Sequence, residues 1–391
     1  MFRSITVSLL FAVATFASSV VASSQVTPSQ TDAMVQAAPS SSPVAFVFVS
    51  TQKGTDYEVS GYSAASNGEL TLISGSPFPA NANYLALNSK YLFGSNGIDI
   101  YSFSIASDGS LTQVASVNAQ NYNQNGCGGP ENLFVDRTGK TLYDPDFLGN
   151  ICANNAYQAF TIDNSTGALS YLESAPASPA FNTPLRFISG NVYGYSSDCY
   201  RDSPGIFGYT RNSEGELTQT TITAQVPAAP SGVFYCPYLS TADLSSHVAI
   251  PLMPMNMATL QQAGPSQIAV YTADSSGNLT TRSTAGNMPK TSVVSVTDVR
   301  ISPNGKFIAV AGTSGLQVFH FNGANPITKF TGLLANGEVD HVMWDEANHL
   351  YAISTSAGKL MVFTVTTTAA KEAPGSPYAI ANPQNIAVLA K

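Results

Sequence analysis

Seven aromatic residues recur at nearly even intervals along this chain, each inside a run that reads as a β-strand. They are Tyr62, Phe103, Phe160, Tyr209, Tyr271, Phe319 and Phe363, spaced 41, 57, 49, 62, 48 and 44 residues apart. Ser or Thr follows each at once, except that His320 follows Phe319. In five copies the next turn ends in Gly-x-Leu: Gly68-Glu69-Leu70, Gly109-Ser110-Leu111, Gly167-Ala168-Leu169, Gly215-Glu216-Leu217 and Gly277-Asn278-Leu279. One four-stranded antiparallel unit takes roughly 40–50 residues, and units of that period stack as the blades of a propeller. The repeat therefore predicts an all-β fold, a seven-bladed β-propeller of four-stranded antiparallel blades.

The second repeat shows the unit most clearly. Tyr84-Leu85-Ala86-Leu87 is a short apolar strand, Asn88-Ser89-Lys90 turns the chain, and Tyr91-Leu92-Phe93 runs back. Strands over 98–105 and 111–117 complete it, joined by the Gly109 turn. The first and last repeats are incomplete in a complementary way. The run 44–49 resembles a second strand and the run 384–389 a first strand. Pairing of 386–389 with 46–49 is expected to close the ring and remove an exposed edge.

Asp, Glu, Lys and Arg make up only 10% of the chain, against about 25% in ordinary domains. Uncharged polar residues replace them, which suits strand faces packed blade on blade, because a hydroxyl can be buried once it is hydrogen-bonded. The net charge of −8 argues against a nucleic-acid partner, since phosphates are held by Lys and Arg. Arg3 is the one charge before Asp32, an apolar stretch runs over 5–21, and Val20-Val21-Ala22 offers a small-residue cleavage site. These features predict a cleaved signal peptide over 1–22, a flexible linker over 23–43 rich in Ser, Gln, Ala and Thr, and the propeller over 44–391. The mature chain is expected to be exported, periplasmic or extracellular, free of the membrane and monomeric.

The propeller topology sorts the loops. Those preceding the first strand and joining the second to the third share one face, and the long segments 118–130, 144–155, 196–205, 224–237 and 251–265 all fall there. Function gathers on such loops. All four cysteines, Cys127, Cys152, Cys199 and Cys236, lie on that face. An even count in an exported chain favours disulfides, and the pairing with least travel is Cys127–Cys152 and Cys199–Cys236.

The rim of the central channel should be lined by the starts of the first strands. Alignment places Asn83, Glu131, Asn132, Asp298, Asp340, His341 and Asn385 there, with Arg186 and Arg300 slightly deeper. The fifth blade, near Cys236-Pro237-Tyr238, aligns less well. Converging carboxylates and amides suit Ca²⁺, a hard cation served by oxygen ligands. A His beside carboxylates suits a general base. The same groups could instead line a water-filled channel and satisfy one another. Asn83, Asn132, Asp298, Asp340 and Asn385 are the candidate ligand-binding residues.

The runs "ISPNGKFIAVAG" at Ile301 to Gly312 and "YSFSIASDGSLTQV" at Tyr101 to Val114, with "GSPF" at Gly75 and "GSPY" at Gly375, carry a resemblance. They resemble the lactonase-type seven-bladed propellers, the family of 6-phosphogluconolactonase and 3-carboxymuconate cyclase. The resemblance implies a lactone hydrolase in which His341 or Glu131 activates water and Arg186 or Arg300 stabilises the developing oxyanion. Members carry an Arg-His pair just before a strand of the "FHPNGK" kind. Thr297-Asp298 occupies those positions here, and His341 stands in an equivalent histidine column of the seventh blade. The second expectation is a non-catalytic propeller that binds a small polar ligand, glycan or protein through its long loops.

Overall fold

The computed structural model of the chain describes residues 42–122, 132–146, 156–176, 183–200 and 203–391. It forms seven antiparallel sheets in a ring. Blade 1 contains Ala45–Lys53, Asp56–Ala64 and Leu70–Leu72, and its innermost strand is the C-terminal Pro383–Ala390. Blade 2 runs outward through Tyr84–Leu87, Tyr91–Ser95, Asp99–Ile105 and Leu111–Asn118. Blades 3, 4, 6 and 7 follow the same order from innermost strands Phe134–Val135, Arg186–Phe187, Val296–Ile301 and His341–Trp344.

Closure takes the expected register. Phe46 faces Leu389, Val47 faces Val388, Phe48 faces Ala387 and Val49 faces Ile386. Alternation along the same strand serves two interfaces at once. Ala45, Val47 and Val49 pack on Tyr351, Ile353 and Leu360 of blade 7. Phe46 and Phe48 point the other way, onto Leu85, Leu92 and Phe103 of blade 2. Both faces are buried, so the strand reads as a continuous apolar run.

The repeat itself has a physical cause. All seven recurrent aromatics are buried between blades, none exceeding 9% exposure. In four blades the hydroxyl after the aromatic donates to a carbonyl of the outermost strand: Ser63 to Thr71, Ser104 to Thr112, Thr161 to Ser170 and Thr210 to Thr218, at 3.3–3.4 Å. The Gly-x-Leu turn wedges onto the preceding blade. Gly277 has φ +81, and a Cβ there would meet Cδ1 of Tyr193, in blade 4, at 2.6 Å. The Tyr195 hydroxyl donates to the Gly277 carbonyl at 2.9 Å, which fixes the same seam. A left-handed backbone in a space without room for a side chain demands glycine.

Blade 5 departs from the sequence reading. Its innermost strand is Val233–Pro237, paired with His247–Asn256, rather than a strand starting near Tyr238. The chain then leaves the sheet at Tyr238-Leu239-Ser240 and rejoins it at Thr241–Ala242. Two presumed loops also contain strand. Residues 251–256 belong to His247–Asn256, and Tyr193–Tyr200 pairs with Ser203–Arg211 out to Tyr200 opposite Ser203. Among the described residues no helix is long and apolar enough to cross a membrane.

Candidate functional site

A cavity of about 410 Å³ lies on the ring axis, and the inner edge of every blade contributes to its wall. Asp298 is the group around which its charge is organised. Blade 6 pairs Val296 with Gly312 and Asp298 with Ala311, so Thr297 is an extra residue in the inner strand. Such a bulge re-aims the side chains beside it. The Thr297 hydroxyl donates to the Val339 carbonyl at 2.6 Å. Asp298 Oδ1 accepts from its neighbour's amide, Val299, at 2.8 Å, and Oδ2 accepts from the Val342 amide of blade 7 at 3.1 Å. Arg300 Nε stands 3.1 Å from Oδ1, and His341 Nδ1 stands 3.9 Å from Oδ2. Burial alone would raise the Asp298 pKa, but the Arg300 guanidinium, His341 and the Val342 amide outweigh it and hold the carboxyl at about 2. Trp344 Nε1 donates to the Arg300 carbonyl at 3.1 Å and ties the two blades again.

Arg186 enters the same cavity from blade 4. Its Nε donates to the Ser240 carbonyl at 3.3 Å, and that carbonyl is available because blade 5 breaks there. Ser240 is held in turn by its hydroxyl, which donates to the Tyr195 carbonyl at 3.0 Å. Burial, followed by repulsion from Arg300, pushes the Arg186 pKa down to about 9. The guanidinium therefore stays charged at neutral pH. A third arginine, Arg137, comes from the first hairpin turn of blade 3. Its guanidinium donates to the Phe187 carbonyl of blade 4 and to the Asp243 carbonyl of blade 5.

His341, Asp298, Arg186, Arg300, Asn132 and Asn385 all line the cavity. Asn385 Oδ1 accepts from the Leu85 amide at 3.3 Å, and Asn132 sits in a left-handed conformation with φ +53. Two expected residues are not in the wall. Asp340 turns its Oδ2 to the Thr355 amide at 2.7 Å, because the turn after Ser354 needs an acceptor there. Asn83 is engaged through its backbone, accepting from the Ser50 hydroxyl at 2.6 Å and donating to the Ser95 carbonyl. Glu131, Cys127 and Cys152 lie outside the described residues. Cys199 and Cys236 form the expected disulfide, with Cα atoms 5.2 Å apart.

The expected Ca²⁺ does not fit this donor set. Asp298 is the one carboxylate among the described wall residues, its oxygens are spent on an arginine and two amides, and two guanidiniums share the space. Among the described residues no three His, Cys, Asp or Glu side chains are grouped to hold a metal ion. Tyr238 and Ser240 were not singled out in the sequence. They lie in the blade 5 break, where the repeat gives no alignment, and Tyr238 reaches the cavity with 44% of its surface exposed.

No protein-family description matches the chain, and no curated protein matches it in sequence. Solved structures match its fold. A putative 6-phosphogluconolactonase from Bacteroides fragilis aligns with a TM-score of 0.62 at 14% identity, over 90% of this chain and 99% of that one. The periplasmic gluconolactonase of Pseudomonas aeruginosa gives 0.62 at 14% identity, over 88% and 99%. A hypothetical selenium-binding protein from Sulfolobus tokodaii gives 0.57 at 10% identity, over 88% and 93%. The chain is thus a lactonase-like propeller in fold, and the chemistry has to be argued from the cavity.

Proposed function

We propose that the axial cavity hydrolyses a small polar lactone. The observation that carries this reading is the juxtaposition of His341 Nδ1 with the buried Asp298 carboxylate, in a cavity that also holds Arg186. A carboxylate behind one ring nitrogen orients the imidazole and leaves the other nitrogen for water. The 3.9 Å separation is longer than a hydrogen bond, and such contacts commonly tighten when substrate enters.

The steps balance with water as co-reactant. His341 Nε2 takes a proton as the water oxygen bonds to the lactone carbonyl carbon. The carbonyl oxygen gathers negative charge, and Arg186 lies on the wall to receive it. The tetrahedral centre collapses, the ring C–O bond breaks, and the leaving alkoxide takes the proton back from His341. The product is an open-chain hydroxy acid, which ionises by releasing a proton to solvent. Lactonase names among proteins of the same fold support this choice of reaction class. Export of the mature chain after Ala22 is part of the proposal, and the Cys199–Cys236 bond suits an oxidising compartment.

The test is proton release from glucono-δ-lactone and a panel of γ- and δ-lactones, by wild type and His341→Ala, with thermal melts of both. Loss of the proton-transfer group should lower the rate by about 10²–10⁴-fold. Turnover unchanged in the variant would remove His341 from the mechanism. No turnover of any lactone by folded wild type would overturn the hydrolase and favour a non-catalytic receptor for a small polar ligand or glycan.

A further inference from the structure

The charges of the described wall residues do not balance. Asp298 and Arg300 neutralise each other at 3.1 Å. Among the described residues Arg186 has no carboxylate that close, and Asp298 attracts it only from farther off. Among the described residues its single protein hydrogen bond is the one from Nε to the Ser240 carbonyl, and it forms no ion pair with a carboxylate. Among those residues its terminal NH₂ groups have no acceptor, in a chain whose net charge is −8. Holding a cation in the wall of a half-enclosed cavity carries a desolvation cost that only an anion or water can offset.

We propose that Arg186 is a carboxylate-binding residue, and that the open-chain hydroxy acid, rather than the lactone, is the ligand this cavity holds most tightly. The identity of the acid rests on the lactone reading, but its binding needs no turnover. Ring opening converts a neutral ester into a carboxylate whose two oxygens match the fork of a guanidinium. Arg300 adds positive charge nearby, though its own charge is already matched. The hydroxyls of the acid would face neutral polar groups, the Asn385 amide, the Thr297 hydroxyl and the Tyr238 phenol. The enzyme would then be strongly inhibited by its product, and at high product it would act as a hydroxycarboxylate receptor.

Calorimetric titration of the full folded protein with gluconate, sorbitol, acetate and inorganic phosphate tests this. Sorbitol keeps the hydroxyl chain without the carboxylate, and acetate keeps the carboxylate without the chain. Gluconate should bind at least about tenfold more tightly than sorbitol or acetate, and Arg186→Met should weaken it by about tenfold or more. Arg186→Lys, which keeps the charge but not the fork, should fall between. Gluconate binding no tighter than sorbitol, or unchanged in folded Arg186→Met, would overturn the inference. Acetate or phosphate binding as tightly as gluconate would reduce the site to a bare anion site and overturn the hydroxy-acid assignment. Should Arg186→Met fail to fold, the wild-type ratio of gluconate to sorbitol still decides. The two readings fail separately: turnover without preference for gluconate sinks this inference alone, and gluconate bound through Arg186 without turnover sinks the hydrolase alone.

Discussion

The seam between blades 6 and 7 and the seam between blades 4 and 5 open onto one cavity two blades apart, and they are held by different means. At the first, the Asp298 carboxylate takes Arg300 from its own strand and the Val342 amide from the next blade. No disulfide crosses it, and the carboxylate joins the apolar packing of Phe307 against Val342 and Trp344 in fastening it. At the second, Cys199 of blade 4 is bonded covalently to Cys236 of blade 5. The charge there, on Arg186, meets one backbone carbonyl and, among the described residues, no carboxylate. A matched charge in a channel wall is read most simply as structure that also positions its neighbours. One left unmatched among the described residues points to a ligand. A covalent bond across the same seam makes that imbalance tolerable, because the seam does not depend on the arginine to stay closed.

The comparison predicts where substitutions hurt. Asp298→Ala should be the most damaging, since it strands the Arg300 guanidinium and the Val342 amide together. Removing one partner of a buried pair costs about 3–5 kcal/mol, read as a lowered urea midpoint. A loss below about 1 kcal/mol would place this network among ordinary surface pairs. Next comes the seam between blades 4 and 5. Replacing Cys199 and Cys236 by Ser opens a loop with a sequence separation of 37, and native disulfides typically contribute about 2–4 kcal/mol. If the seams are independent, the Asp298 and cysteine effects should add to within about 0.5 kcal/mol. Strong coupling in that double-mutant cycle would mean that the two sides of the cavity move as one.

Acid should distinguish the seams as well. The folded Asp298 carboxyl is depressed to about 2, so its contribution is fully present above the ordinary carboxyl range and is lost as pH falls through the folded value. That amounts to about 2 kcal/mol disappearing between about pH 4 and pH 2. Asp298→Asn should flatten this part of the stability profile, whereas the double cysteine variant should keep it. A profile of the Asn variant that matches wild type would assign the acid lability to other carboxylates.

Most of the ring could be read in the sequence because its causes are local and repeated. The aromatics of the third strand are buried in every blade, the Gly turns are left-handed, and alternation at 45–49 already implies two buried faces. The innermost strands of blades 4, 6 and 7 carry Arg186, Asp298, Arg300 and His341 to the cavity, while their alternate residues, such as Val299 and Val342, pack between blades. Legibility failed where a residue answers to its immediate turn rather than to the repeat. Asp340 is drawn to the Thr355 amide, two strands on in its own blade. Tyr238 and Ser240 belong to a break that no other blade copies, so alignment of repeats passes over them. The partner of Arg186 is a backbone carbonyl, which no residue type announces.

The smallest expected effect bears most directly on the difference between the seams. Arg300→Met and Arg186→Met delete the same guanidinium from two blades that line one cavity. The first should be costly, because Asp298 keeps its buried charge and loses its nearest counter-charge. The second removes a cation that burial and Arg300 already oppose, and it leaves one carbonyl, that of Ser240, without its arginine. Those contributions have opposite sign, so the net change in stability should stay within about 1 kcal/mol of wild type, since lost hydrogen bonds to neutral groups cost about that much. Methionine also keeps much of the stem volume, so no large cavity is opened. Equal losses for the two variants, measured by urea denaturation under identical conditions, would mean that Arg186 is a strut like Arg300. A stable Arg186→Met beside a weakened Arg300→Met would leave ligand binding as the reason for an arginine at position 186.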